Sequence, residues 1–347
     1  MESCHLIEKL DHTHSLTIEE YEQLLLERTP EWQRQLAQLA VERSQAVFGT
    51  RIFIRGLVEI SNHCKNGCYY CGINRENSHC DRYRLMPEEI LACADEGYKL
   101  GFRTVVLQGG EDNWFTDDRL CQLIGALKEQ HPDGAVTLSL GERSRESYQR
   151  LYDAGADRYL LRHETADKAH YERLHPANLS YDRRMECLRN LHAIGYQTGC
   201  GFMVGSPGQT VHQLAEDLKF VETFSPEMCG IGPFIPHKDT RFRTEPPGSV
   251  DLTCYLLSIL RIMKPTLLLP ATTALGTLDK AGREKGILSG ANVVMPNLSP
   301  QAVRGKYMLY DNKLSGGAEA AQNLQELQAR MRSIGYEVVV DRGDFQA

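Results

Sequence analysis

The sequence predicts an α/β fold: a (β/α)8 TIM barrel with an N-terminal helical extension and a C-terminal closing helix. Three observations predict it. From residue 51 onward, short apolar runs alternate with longer amphipathic stretches, which implies a parallel sheet with right-handed crossovers. Eight such units fill roughly 250 residues, the count and length of a closed barrel. No low-complexity linker interrupts them, so a second independent domain is not expected. The alternation alone also permits an open doubly wound sheet.

The elements follow in order. The first fifty residues read as helix. Thr17-Ile18-Glu19-Glu20 has capping-box spacing and opens a helix over 21–27. Thr29 precedes Pro30 at a first helical position, and 31–48 continues without a breaker. Leu36, Leu39, Ala40 and Val47 give it an apolar stripe. The predicted strands are 52–60, 104–107, 135–140, 159–161, 198–204, 228–234, 267–271 and 291–295. Helical patterns at 87–100, 117–130, 144–154, 181–194, 209–223, 252–263 and 280–288 separate them. In the tail, Ala320, Leu324, Leu327 and Met331 recur at helical spacing, and 338–340 is strand-like. The implied organisation is a helical extension at 1–50, the barrel at 51–315, and a closing helix and tail at 316–347.

Charge and hydropathy remove some functions. Lys and Arg number 39 against 46 Asp and Glu, a net charge of −7, which argues against nucleic acid or an anionic membrane as partner. The most apolar stretch, 267–275, is too short to span a bilayer and contains Pro270. The N-terminus lacks a basic region followed by an apolar core, so the cytoplasm is the expected compartment.

The 11 cysteines are an odd number in a long chain without a secretory signal, so thiols or metal ligands are expected rather than a disulfide framework. Cys64, Cys68 and Cys71 form C-x3-C-x2-C directly after the first predicted strand. In a barrel that is the C-terminal face, where active sites lie. Thiolates select zinc, copper(I) or iron–sulfur clusters. Zinc, with His63, His79 or Cys80 as a fourth ligand, stays open. A cubane cluster on three cysteines would leave one iron open to a ligand. Cys80, Cys93, Cys121 and Cys187 read as buried apolar fillers.

The triplet, with Tyr70 before its last cysteine, resembles the radical S-adenosylmethionine (SAM) superfamily. The resemblance implies one [4Fe–4S] cluster on Cys64, Cys68 and Cys71. It also implies SAM on the open iron and its reductive cleavage to a 5′-deoxyadenosyl radical. Gln108-Gly109-Gly110-Glu111 ends the second predicted strand and resembles the element that receives the SAM ammonium. Glu164 corresponds to a ribose or ammonium acceptor. Arg184 corresponds to the guanidinium that pairs with the SAM carboxylate, although an exposed surface arginine is its plain reading. The segment containing Met203 resembles the adenine-binding one, and Tyr70 and Ser139 complete the cofactor-binding set.

Longer strings narrow the resemblance: VLQGGED at 106–112, TLSLGE at 137–142, YLLRHET at 159–165, GIGPFIPH at 230–237, PATTA at 270–274 and GANVVMPN at 290–297. They are similar to the HydE family of [FeFe]-hydrogenase maturases, in the biotin synthase-like branch of the superfamily. That implies action on a small-molecule or organometallic substrate, a cysteine-bound iron carbonyl–cyanide unit. It also implies HydG and HydF as partners and an unidentified low-potential electron donor. Arg162, Tyr307, Thr137, Thr272 and Thr273 are the candidate substrate residues, with Met228 and Met295 as apolar wall. His163, one residue out of phase with Arg162, reads as structural. Biotin synthase is disfavoured because the second and third strands carry no cysteine, and no cysteine follows Cys254 to suggest a second cluster. The alternative is a radical SAM mutase of the methylornithine synthase type.

Overall fold

A computed structural model describes residues 2–346. Its strands in chain order are β1 Arg51–Ile54, β2 Gly56–Ser61, β3 Thr104–Gly109, β4 Ala135–Ser139, β5 Arg158–Leu160, β6 Gln197–Cys200, β7 Met203–Val204, β8 Met228–Cys229, β9 Gly232–Pro233, β10 Val293–Val294 and β11 Glu337–Val339. A six-stranded parallel sheet runs β2-β3-β4-β5-β6-β8. Single bridges complete the ring: Met228 to Leu268, Pro270 to Val293, and Leu57 to Asn297. β10 in turn pairs with β1, which leads into β2. The sheet returns to its first strand, so the barrel is closed and the open sheet is excluded.

Three departures from the expected strands have local causes. The run at 267–271 makes bridges instead of a ladder, because Pro270 has no N–H to donate. The runs 198–204 and 228–234 each break in two. The break falls where Gly201 packs against the Gly230 carbonyl, a contact that any Cβ at Gly201 would block. Beyond the break β7 and β9 pair with each other and carry Met203 and Gly232 over the barrel rim.

The helices start where the sequence places their caps. Thr17 closes the expected capping box on Ile18–Leu26, and Thr29 caps Pro30–Phe48. Asp117–Gln130 and Tyr181–Ile194 have the expected bounds, capped by Thr116 and Ser180. Glu2–Thr13 is a further N-terminal helix. Ile18–Leu26 packs on Val211–Phe224, and Pro30–Phe48 packs on Val250–Met263. Strand alternation sorts the core: Val58 and Ile60 join the apolar cluster of the helices, whereas Leu57 and Glu59 face an internal cavity. The strand-like tail becomes β11, which pairs with β1. Among the described residues no helix is long and apolar enough to cross a membrane.

Candidate active site

The cysteine triplet lies on the loop that follows β2. The loop has almost no regular structure, so side chains hold its backbone. Arg82 Nη1 donates to the carbonyls of Asn62 (2.5 Å) and Ile73 (2.8 Å), and Nη2 donates to that of Asn74 (2.6 Å). Asn74 Nδ2 donates to the Cys71 carbonyl at 2.6 Å, and Asn77 Nδ2 to that of Gly72 at 2.7 Å. The neighbouring elements grip the loop as well: Lys65 N–H donates to the Glu111 carbonyl (3.0 Å), Tyr69 N–H to Leu174 (3.1 Å) and Gly72 N–H to Leu309 (2.8 Å). Gly110 must lack a side chain, because a Cβ there would strike the His63 carbonyl and Cys64.

All three thiols are free. Burial raises each of them, Cys71 to about 12, so without a metal they stay protonated. Among the described residues no three His, Cys, Asp or Glu side chains converge as a single metal ion requires. A cubane takes one thiolate on each of three irons, so its cysteines surround a body rather than a point. Of the zinc alternatives, His79 is 3.0 Å from Asp239, and Cys80 accepts from Asn62 Nδ2 at 3.5 Å. Three soft thiols with no fourth protein ligand beside them among the described residues fit a cluster that keeps one iron for a ligand.

Behind the loop, the barrel encloses a cavity of ≈ 340 Å³, within the range of small-molecule sites. Glu59, Gln108 and Ser139 occupy one row across β2, β3 and β4 and all line it. Of the candidate residues, Tyr70, Cys71, Gln108, Gly109, Ser139, Arg162, Glu164, Arg184, Met203, Thr272, Thr273 and Tyr307 also line it. Cys64, Gly110 and Glu111 lie outside its wall. Cys64 and Glu111 border an adjacent surface cleft with Lys65 and Arg82. Glu111 Oε2 is 3.1 Å from Lys65 Nζ, and its Oε1 accepts from Glu142 N–H at 3.0 Å. Thr137 stands two residues deeper than Ser139 on β4, below the cavity, and its hydroxyl has no partner.

The charged groups are oriented. Arg184 is buried, not a surface arginine. Its Nε donates to Glu142 Oε1 and its Nη1 to the Arg162 carbonyl, both at 2.6 Å. Arg162 Nη2 lies 3.2 Å from Glu164 Oε2 but out of line for a hydrogen bond. Arg162 Nε and Nη2, Glu164 Oε2 and Thr272 Oγ1 are therefore buried atoms without partners. Thr272 occupies an N-cap, yet its hydroxyl caps nothing. Thr273 donates to Glu319 Oε2 at 3.1 Å. Tyr70 Oη lies 3.2 Å from His175 Nε2. Burial keeps the Tyr307 hydroxyl protonated.

Some expectations need correction. Met228 is not cavity wall. It lies at the barrel floor, where its sulfur accepts from Arg55 Nη1 at 2.9 Å, because it opens its strand and the N-terminal end of a barrel strand is the floor. Met295 does line the cavity. Cys93 and Cys187 are buried, but Cys80 and Cys121 are only half-buried.

Sequence reasoning passed over Glu59 and Lys313. Both line the cavity, and their side chains meet at 2.6 Å, with Asn297 Nδ2 donating to Glu59 Oε2 at 2.9 Å. A charged residue inside the apolar run 52–60 was the available signal. Tyr310 also lines the cavity and was missed.

Comparison with known proteins agrees with this geometry. Residues 58–221 match the radical SAM superfamily. A closed barrel whose first strand ends in a three-cysteine loop, with that match across the loop and strands β3 to β7, is a radical SAM enzyme. Such enzymes bind a [4Fe–4S] cluster and SAM. The chain is 44% identical over 279 residues to the [FeFe] hydrogenase maturase subunit HydE of Thermotoga maritima, covering 80% of this chain and 79% of that protein. It belongs to the HydE family of radical SAM proteins. It is also 27% identical over 329 residues to the 3-methylornithine synthase of Methanosarcina barkeri, covering 94% of this chain and 89% of that one. Among solved structures it is similar to a methylornithine synthase, with TM-score 0.84, 26% identity and coverage of 96% and 97%. HydG, with TM-score 0.79, 22% identity and coverage of 97% and 75%, shares the fold.

Proposed function

We propose that this chain is a cytoplasmic maturase of [FeFe]-hydrogenase that acts on a cysteine-ligated iron carbonyl–cyanide unit. One cluster would sit on Cys64, Cys68 and Cys71, with SAM beside it. The observation that carries this reading is the cavity next to Cys71, whose wall holds Arg162, Glu164 and Thr272 with polar atoms that make no hydrogen bond within the protein. Buried polar atoms without partners are costly unless a ligand fills them.

When bound, a reduced [4Fe–4S] cluster supplies the electron that cleaves the SAM sulfonium. The chain's own residues bind, orient and exclude. Arg184, fixed by Glu142, offers the SAM carboxylate a pre-aimed guanidinium. Glu111 and the Gly109–Gly110 backbone receive the ammonium, and Glu164 the ribose. Arg162, Thr272, Thr273 and Tyr307 hold the anionic end of the substrate, with Thr137 behind them. The barrel wall shields the inner side of the reacting atoms from water and stray hydrogen donors. HydG would supply the substrate, HydF would take the product, and a low-potential donor would reduce the cluster.

Anaerobic reconstitution should give about four irons per chain and about none in the triple Cys64/Cys68/Cys71→Ser variant. About eight irons would overturn the single cluster. The reduced protein should convert SAM to 5′-deoxyadenosine and, with HydG and HydF, activate an [FeFe]-hydrogenase. Incubation with SAM and lysine serves as the control, and methylornithine as its product would replace the maturase reading with the mutase one.

A further inference from the structure

Glu164 has φ 67° although it carries a side chain. This left-handed conformation is strained for such a residue, and strain of this kind persists where the surroundings over-determine it. Here the determinants are visible. Glu164 N–H donates to the Gly201 carbonyl at 3.0 Å, and its carbonyl accepts from Met203 N–H at 3.3 Å. Two fully buried side chains, His163 and Asp217, grip the flanks of the turn. His163 Nδ1 accepts from Gly201 N–H at 3.3 Å. Its Nε2 lies 3.3 Å from Asp217 Oδ1, which also accepts from Ala166 N–H at 2.6 Å.

The protonation states agree with this arrangement. Burial lowers His163 to about 3, so the ring is neutral. Because Nδ1 accepts from Gly201, the proton sits on Nε2, the nitrogen that faces Asp217. Burial pushes the Asp217 carboxyl well up, and Oδ1 takes both contacts while Oδ2 makes none. The pair lies in an apolar setting, with the His163 ring 4.5 Å from that of Phe220 and 5.8 Å from that of Phe202. Two hydrocarbon side chains could fill that space. What they could not do is reach the backbone on both sides of Glu164.

We propose that His163 and Asp217 are positioning residues that clamp the 163–166 turn and so aim the Glu164 carboxylate into the cofactor end of the cavity. This rests on the reading that Glu164 contacts SAM. The pair touches neither substrate nor cofactor and acts only through Glu164.

The test measures SAM dissociation constants by calorimetry on the reconstituted full-length protein, alongside its iron content. His163→Phe and Asp217→Leu should each weaken SAM binding about tenfold, as a small misplacement of a binding group does, with iron unchanged. Asp217→Asn keeps an acceptor at Oδ1 and should bind like the wild type. In a Glu164→Ala background, His163→Phe should have no further effect, because the group it aims is gone. A His163→Phe protein that binds SAM normally while Glu164→Ala does not would overturn the clamp. So would a His163→Phe effect of equal size in both backgrounds. Should His163→Phe fail to fold, the Asp217→Leu and Asp217→Asn pair decides by the same comparison. Unchanged affinity in Glu164→Ala would instead overturn the underlying reading of Glu164.

Discussion

Arg158 opens β5 and Arg162 lies two residues past its end, and their surroundings are opposites. At the floor, Arg158 is fully buried and every nitrogen has a partner. Nε donates to Gln197 Oε1 at 3.1 Å, and Nη1 to Thr104 Oγ1 at 2.9 Å. Nη2 donates to Asp344 Oδ1 at 2.5 Å and to the Arg342 carbonyl at 2.9 Å. The C-terminal tail thus plugs the floor. At the mouth, Arg162 keeps 31% of its side chain exposed; its Nε and Nη2 make no hydrogen bond, and its ion-pair partner is the Glu164 carboxylate 3.2 Å away. One arginine is finished by the protein and the other is left for a ligand. This matches the division of labour in such barrels, with stability at the N-terminal face and chemistry at the C-terminal face.

The largest effect should follow from Arg158→Ala, which removes a fully buried side chain and strips Thr104 Oγ1 and Gln197 Oε1 of a donor. Urea denaturation should show a loss of about 2 kcal/mol. Arg162→Ala should cost less than about 1 kcal/mol in the same assay, leave SAM cleavage in place and abolish hydrogenase activation. Equal destabilisation by the two substitutions would break the comparison. The next effect is acid-linked. Burial opposes ionisation of Asp344, but the Arg342 hydrogen bond and the Arg158 charge outweigh it and hold the carboxyl below the usual range. A carboxyl lowered in the folded state stabilises above its unfolded pKa of about 3.9, and that stability fades as pH falls further. Thermal melts of wild type and Asp344→Asn should therefore differ most at neutral pH and converge below about pH 4. The smallest effect sharpens the mouth. Thr272→Val deletes a hydroxyl without a partner, so stability should hold or rise by up to about 1 kcal/mol, while maturation activity falls.

What the sequence made legible was what is local. The cysteine spacing, the capping residues and the strand-end polar groups each act within a few residues, so Cys64, Thr17 and Arg162 were readable. The Glu59–Lys313 pair joins residues 254 apart in the chain, and no local pattern links them. The split of β6 from β7 was foreshadowed by Gly201, since a glycine inside a strand marks a break or a close approach. Reading 198–204 by hydropathy alone hid it. Met228 opens its run, which places it at the floor whether or not the strand is broken. Thr137 shares a face of β4 with Ser139 but sits two residues deeper than the strand end expected for it, a depth that periodicity does not report.

The hydrogen bond from Gly72 to Leu309 ties the cysteine loop to a segment that lies far downstream in the chain. The cysteine loop leaves the ribosome early, while the segment that clasps it is made near the end of synthesis. Until that clasp arrives, the loop lacks one of the contacts that hold its backbone. A non-local contact of this kind forms late, because the chain between its ends must first be ordered. Metal loading is therefore best timed after the barrel has closed, and nascent or truncated chains should be the ones most prone to losing iron.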